Sequence, residues 1–349
     1  MKLTPKGSAA IAGLVALGAV AAGVYAQSAS GNGKASQLVR GATHPLELRP
    51  VSNAPAIPEL GKATAWDNTT PLTTADLKGK VVLVDFWDAS CINCRRTFPF
   101  LRKLYATYKD KGLVVVGVHT PEFDFEKSHG YVARVTKELD VTWPVAEDPE
   151  RAIWDSFSNQ YWPAQYLVDR DGRFRAGHIG EGDDDAIEEA VRTLLGEGGQ
   201  AGAATTGSIS DTTTGPAASL TPELYLGSDR QSNNPDVLSY TGHFTVKPEM
   251  RSPDVGATLA LKFTAKEVYA VLAPGTSPVA RFTVLLDGAP VPPDRRGADV
   301  MLLPDGSTEL KVANQDLFHI LTGPSVTSGR LTLTAVTPGA EMFTFTFGS

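Results

Sequence analysis

The segment Lys80-Val81-Val82-Leu83-Val84-Asp85-Phe86-Trp87-Asp88-Ala89-Ser90-Cys91-Ile92-Asn93-Cys94-Arg95-Arg96-Thr97-Phe98-Pro99 is the most informative in the chain. Its first half is a short, nearly continuous apolar run, as expected of a parallel strand buried on both faces. Beyond the cysteines, Phe98, Leu101, Leu104, Tyr105 and Tyr108 recur at helical spacing, and Gly112 supplies a stop. A Cys-x-x-Cys pair therefore sits where a buried strand turns into a helix.

Cys91 and Cys94 are the only cysteines in 349 residues, so the one intrachain bridge they allow is with each other. Unpaired amides and the dipole at a helix N-terminus favour an anion, which is expected to lower the Cys91 thiol toward neutrality and make it the nucleophile. Cys94 can then resolve a mixed disulfide, a step that needs a base nearby. Asp85 is the candidate, because a carboxylate inside a buried strand is costly unless it is paired or protonated. The structural alternative is an Asp at a strand end bonded to backbone amides. Zinc is the competing reading of Cys-x-x-Cys, but no second pair exists and His44, His119, His129, His178, His243 and His319 are scattered, so no metal is expected.

Working outward, Leu113 to Val118 reads as a second buried strand and Phe125 to Leu139 as a helix. Ala164 to Asp169 and Arg173 to His178 read as a hairpin turning at Asp171-Gly172, and Asp183 to Leu195 as a closing helix. That order defines an α/β domain over about 57–197. The acidic Asp183-Asp184-Asp185 suits the start of its last helix. Residues 198–219 are rich in Gly, Ala, Thr and Ser and read as a flexible linker. From 220 to 349 the pattern alternates, as in Leu331-Thr332-Leu333-Thr334 and Phe343-Thr344-Phe345-Thr346-Phe347, with Asp287-Gly288 and Asp305-Gly306 at hairpin turns. A β-sandwich follows.

At the other end, Lys2 and Lys6 precede an apolar stretch to Ala26 closing on Val24-Tyr25-Ala26, a small-x-small pattern. Residues 1–26 are read as a signal peptide or membrane anchor, and 27–56, with several prolines and no apolar period, as an extended tether. Export to the periplasm or cell envelope is expected. The net charge of −7, with no basic block, argues against a nucleic-acid partner.

Val84-Asp85-Phe86-Trp87, Cys91-x-x-Cys94 and Pro99 together resemble the active-site region of thioredoxins, and Trp162-Pro163 before Gln165 to Asp169 resembles that fold's cis-proline loop. The long gap from Cys94 to Pro163 is filled by an extra helix and strand, about Phe125 to Val145, as in TlpA-like (redoxin-type) thioredoxins. More narrowly, Ser90-Cys91-Ile92-Asn93-Cys94-Arg95-Arg96, Gly117-Val118-His119-Thr120-Pro121-Glu122, Tyr161-Trp162-Pro163-Ala164 and Gly180-Glu181-Gly182 are similar to the extracytoplasmic C-terminal part of DipZ-type cytochrome c biogenesis proteins. That resemblance implies a three-layer α/β/α thioredoxin-like fold with the TlpA-type insertion, followed by a jelly-roll sandwich akin to carbohydrate-binding modules.

The resemblance also implies a thiol-disulfide oxidoreductase using no cofactor beyond the redox-active Cys91–Cys94 pair. Its substrates would be disulfides of envelope proteins, apocytochrome c among them, and its electrons would come from a membrane thiol carrier of the CcdA or DsbD kind. Pro163, if cis, would bring the preceding backbone beside Cys91 to bind an extended substrate. His119 and Glu122 would lie at the same sheet edge as Cys91, and Trp87 and Trp162 would either shield the site and touch a partner or simply pack. Two features depart from the pattern: Thr97 stands where reductive TlpA-like members often carry Glu, and Ser90 replaces the usual Trp before the first cysteine. The sandwich carries no tryptophan, which favours docking of a protein over a glycan, although Tyr225, Tyr240 and Tyr269 remain candidates for stacking on a sugar. Two other classes stay open: a thiol peroxidase, against which Asp88 stands in place of the expected Thr, and a wall-binding protein whose redox domain is secondary.

Overall fold

A computed structural model of the chain describes residues 46–197, 220–232 and 234–349. Strands β1 (Ala65–Asp67), β2 (Val81–Trp87), β3 (Leu113–His119), β4 (Val145–Glu147), β5 (Ala164–Val168) and β6 (Phe174–Ile179) form one sheet in the order β1-β4-β3-β2-β5-β6. β2 is central, parallel to β3 and antiparallel to β5, and every one of its residues is buried. That explains its unbroken apolar run, since a strand covered on both faces has no solvent side to leave polar.

Helices α1 (Ile92–Tyr108), α2 (His129–Glu138), α3 (Ala152–Ser156) and α4 (Asp184–Gly196) complete the domain. Two cores form, one on each face of the sheet. Leu83, Trp87, Phe98, Leu101, Trp143 and Val191 belong to one, and Val84, Phe86, Val118, Ile153 and Trp154 to the other. The helix expected over Phe125 to Leu139 begins later, because Asp124–Lys127 forms a single 3-10 turn first. β1 and α3 carry no periodic signal and are absent from the sequence reading.

The extended tether expected over 27–56 is docked wherever it is described. The Arg49 amide donates to Arg175 O at 2.7 Å, the Phe174 amide donates to Pro55 O at 2.8 Å, and Leu46 and Leu48 pack on the first core. β6 is the edge of the sheet, and the proline-bearing segment covers its unpaired groups without a full ladder. The proposed leader 1–26 and linker 198–219 lie outside the described residues, among which no helix is long and apolar enough to cross a membrane.

The second half is a sandwich of two antiparallel sheets. One centres on Glu267–Ala273 and Glu341–Gly348, the other on Ala280–Leu286 and Thr327–Ala335. Asp287 and Gly288, both at positive φ, turn Ala280–Leu286 back onto Ala289–Pro290. Its core is a single apolar cluster that includes Phe263, Phe282 and Phe345.

A fourth cluster joins the halves. Ile92, Phe123, Val271, Leu317 and Phe343 pack together, with Phe343 ring centroids 5.1 Å from both Phe123 and Phe125. Ion pairs rim it: Arg95 Nη2 to Asp316 Oδ1 at 2.6 Å, Arg134 Nη1 to Asp316 Oδ2 at 3.0 Å, and Arg96 Nη2 to Glu267 Oε2 at 2.8 Å. The two arginines that follow Cys94 thus hold the sandwich against the helix that carries it.

Candidate active site

Cys91 is the N-cap of α1, and its sulfur accepts the Cys94 amide at 3.2 Å. Both cysteines are free, with their sulfurs 2.6 Å apart; Cys91 is half-buried and Cys94 fully buried. Ile92, between them, is 8% exposed because its side chain belongs to the cluster joining the two halves. The first residue between the cysteines is therefore an anchor for the sandwich.

The sandwich also walls the site. A cleft of about 310 Å³ opens on Cys91 and is lined from the first half by Glu122 and Trp162, and from the second by Tyr225, Arg230 and Thr346. Glu122 ties the two sides together: Tyr225 Oη donates to its Oε1 at 2.9 Å and Arg230 Nη1 at 2.6 Å. The segment Gln160 to Trp162 lies on the same cleft, and the Trp162–Pro163 peptide bond is cis. Trp162 is half-buried, its ring centroid 4.3 Å from that of Trp154 and 5.2 Å from the Arg151 guanidinium.

Other residues singled out from the sequence lie deeper than expected. Trp87 is wholly buried, edge-on to Phe98 and His119, so it packs and does not reach a partner. His119 is 1% exposed rather than on the substrate side; burial pushes its pKa down to about 3, and its Nε2 has no hydrogen-bond partner. Trp87 ends β2 and His119 ends β3, paired side by side in the sheet, and both are covered. Arg95 and Arg96, in the first turn of α1, make the interface ion pairs described above.

Asp85 is 0% exposed, and neither carboxylate oxygen has a hydrogen-bond partner, which removes the alternative of an Asp capped by backbone amides. Strand alternation places it on the same face of β2 as Leu83 and Trp87, the face covered by α1 and Cys94. Burial raises its pKa to about 7, with the neighbouring Gln165 side chain acting in the opposite sense.

The thiol electrostatics run against the helix-terminus expectation. Burial pushes the Cys91 thiol up, and the charges of Asp88 and Glu122 add to that, while hydrogen bonds from Cys94 pull it down. Cys94 is pushed up further, by burial first and then by Cys91. A dipole effect confined to the first turn is outweighed by desolvation and two carboxylates.

The sequence reading uses Asp88 only as evidence against a peroxidase and does not single out Glu126. Both are fully buried, and they share two amide donors: Ser90 N–H lies 3.1 Å from Asp88 Oδ2 and 3.1 Å from Glu126 Oε1, and Glu122 N–H lies 3.3 Å from Asp88 Oδ1 and 3.0 Å from Glu126 Oε2. Burial raises both carboxyls, Glu126 well above the ordinary range and further still through the charge of Asp88. The one sequence signal was Asp88 extending the apolar run by a charged residue.

Comparison with known proteins agrees with the two-part organisation of the chain. The family described as Redoxin matches residues 52–194, and that described as Thioredoxin like C-terminal domain matches residues 231–348. The thiol-disulfide oxidoreductase YkuV of Bacillus subtilis is 31% identical over 141 residues, covering 40% of this chain and 95% of its own. The chain belongs to the thioredoxin-like thiol-disulfide oxidoreductases. The DipZ protein of Mycobacterium bovis is 37% identical over 263 residues, which is 67% of this chain but only 36% of DipZ. A solved thiol-disulfide isomerase from Corynebacterium glutamicum aligns at 26% identity and TM-score 0.39, over 42% of this chain and 99% of its own. In this thioredoxin-like oxidoreductase the sandwich is seated on the cysteine helix.

Proposed function

We propose that this oxidoreductase works outside the cytoplasm, reducing disulfides of envelope proteins with Cys91 as the attacking thiol and Cys94 as the resolving one. The observation that carries this reading is the cleft. Cys91 is the cysteine that reaches it, Cys94 lies buried behind with its sulfur 2.6 Å away, and the cis-Pro163 loop forms part of the opposite wall. A volume of about 310 Å³ suits a small ligand or a short extended segment rather than a folded surface. Flexible cysteine-bearing chains fit such a site, and apocytochrome c is the substrate the DipZ resemblance points to.

Asp85, raised to about 7 by burial, can give and take a proton near neutral pH, which supports its part in thiol activation. The exchange needs no cofactor. The apolar segment after Lys6 supports export, and an exported reductase needs electrons from across the membrane, supplied here by a thiol carrier of the CcdA or DsbD kind.

The test is disulfide reductase activity of Cys91→Ser, expected to fall by about three orders of magnitude or more. Cys94→Ser is expected to accumulate mixed disulfides whose partners identify the substrates. Retained activity in Cys91→Ser overturns the assignment. An alkaline phosphatase fusion to residues 1–56 that stays inactive overturns the location.

A further inference from the structure

Two buried carboxyl groups side by side under a reactive thiol pair call for a chemical reason. Asp88 and Glu126 are each 0% exposed and are bracketed by the same two amides, those of Ser90 and Glu122. Ser90 Oγ adds a third donor to Asp88 Oδ2 at 3.2 Å. Two carboxylates this close in a buried site cannot both ionise, so the pair holds a proton. Ser90 is joined to Cys91, the Cys91 amide donates to Asp88 O at 3.4 Å, and the Asp88 backbone amide favours the Cys94 thiolate. The charge on Asp88 bears on both thiols.

We propose that Asp88 and Glu126 share one proton and serve as the proton reservoir of the Cys91–Cys94 pair. This rests on the assignment of those cysteines as the exchanging thiols. In the first step Cys91 passes its proton to the ionised member of the pair as its sulfur attacks a substrate disulfide; the substrate S–S bond breaks, the Cys91–substrate bond forms, and the departing sulfur takes that proton back from the pair. In the second, Cys94 passes its proton to the ionised member of the pair, and its sulfur attacks Cys91. The Cys91–Cys94 bond forms and the second substrate sulfur leaves, taking a proton from the pair. Two thiols are oxidised, one disulfide is reduced, and the pair ends as it began. Because the proton moves as the sulfur ionises, the buried site carries one negative charge throughout instead of two.

The other titratable groups facing the pair are His119 on β3, Glu122 on the loop after it, and Tyr131 on α2. His119 Nε2 lies 3.8 Å from Asp88 Oδ1, but burial holds the ring neutral, and burial also pushes the Tyr131 phenol up. Glu122 is paired with Arg230. The carboxyl pair thus gives the thiols a proton-exchanging group in addition to Asp85, which burial raises to about 7 on the face of β2 that Cys94 covers.

The experiment compares Asp88→Asn and Glu126→Gln with wild type, across pH, in two assays on the full chain: disulfide reductase turnover and the rate of Cys91 alkylation. Asp88→Asn is expected to lose turnover roughly a hundredfold and to lose the acid limb of its pH profile. Its Cys91 alkylation near neutral pH is expected to rise several-fold, because a negative charge next to the thiol is gone. A purely structural residue would not move the two assays in opposite directions. Infrared difference spectra of the wild type, dithiol minus disulfide, are expected to show a protonated carboxyl that changes between the two states, whether or not the variants fold. Profiles superimposable on wild type, or no such carboxyl band, overturn the reservoir. If instead Cys91→Ser keeps its activity, the exchange reading itself has failed, and the two failures are distinct.

Discussion

The two halves of the chain differ in how much charge they bury. Around the cysteines the α/β half encloses Asp85, Asp88, His119 and Glu126, all at or near zero exposure, and two of them lack any hydrogen-bond partner for a buried atom. In the sandwich, among the described residues, Glu309 is the one charged side chain classed as buried, and Arg281 meets it at 2.7 Å. Isolated buried ionisable groups oppose folding, and a fold keeps them only where something else requires them. The sandwich is built for stability and for a wall; the α/β half gives up stability in the place where its thiols must change charge.

The sharpest way to break this contrast is Asp85→Asn. The folded pKa of Asp85 is raised to about 7 from 3.8, so between those values the unfolded chain has lost the proton and the folded protein keeps it. Stability therefore falls as pH rises through that window and levels off above it, by up to roughly 4 kcal/mol for this one group. Denaturant unfolding of wild type and Asp85→Asn is expected to give curves that diverge with rising pH, the variant being the more stable at the alkaline end. Parallel curves would mean that the buried carboxylate has found a partner and that the contrast is overstated.

A second, somewhat smaller effect is expected where the halves meet. Phe343 is 5% exposed and stands between the sandwich and Phe123 and Phe125, in the cluster that also holds Ile92. Phe343→Ala is expected to cost about 3 kcal/mol and to speed Cys91 alkylation, because the wall beside the cleft loosens. A loss of stability with no change at Cys91 would separate the wall from the chemistry.

What the sequence made legible, and what it hid, follows the same division. Cys91 and Cys94 stand out because spacing and a flanking strand are local signals, Pro163 stands out through the resemblance to the thioredoxin loop, and the hairpin turn at Asp287-Gly288 is a two-residue signal that the backbone obeys. Trp87 takes the packing role that the sequence left open, while His119 lies deeper than the sheet-edge position expected of it, since an almost wholly buried strand offers no alternation to tell inside from outside. Asp88 with Glu126, and Arg95 with Asp316, are pairings across loops and between halves, and no short-range pattern encodes them. The carboxyl pair was invisible for the same reason that it is informative: only the folded chain brings its members together.

The smallest effect tests the rim of that meeting. Arg96 reaches Glu267 at 2.8 Å across Gly348, where a Cβ would collide with the guanidinium, so the glycine keeps the path open. Both partners are about a quarter exposed, which limits the pair to roughly 0.5–1 kcal/mol. Arg96→Ala is expected to lose that amount at low salt, and the difference from wild type is expected to shrink as ionic strength rises. A loss of that size that persists in high salt would point instead to the guanidinium packing near the Tyr269 ring, 5.8 Å from its centroid. In that case the sandwich is held on the cysteine helix by contact rather than by charge, and the apolar cluster around Ile92 sets the position of the wall.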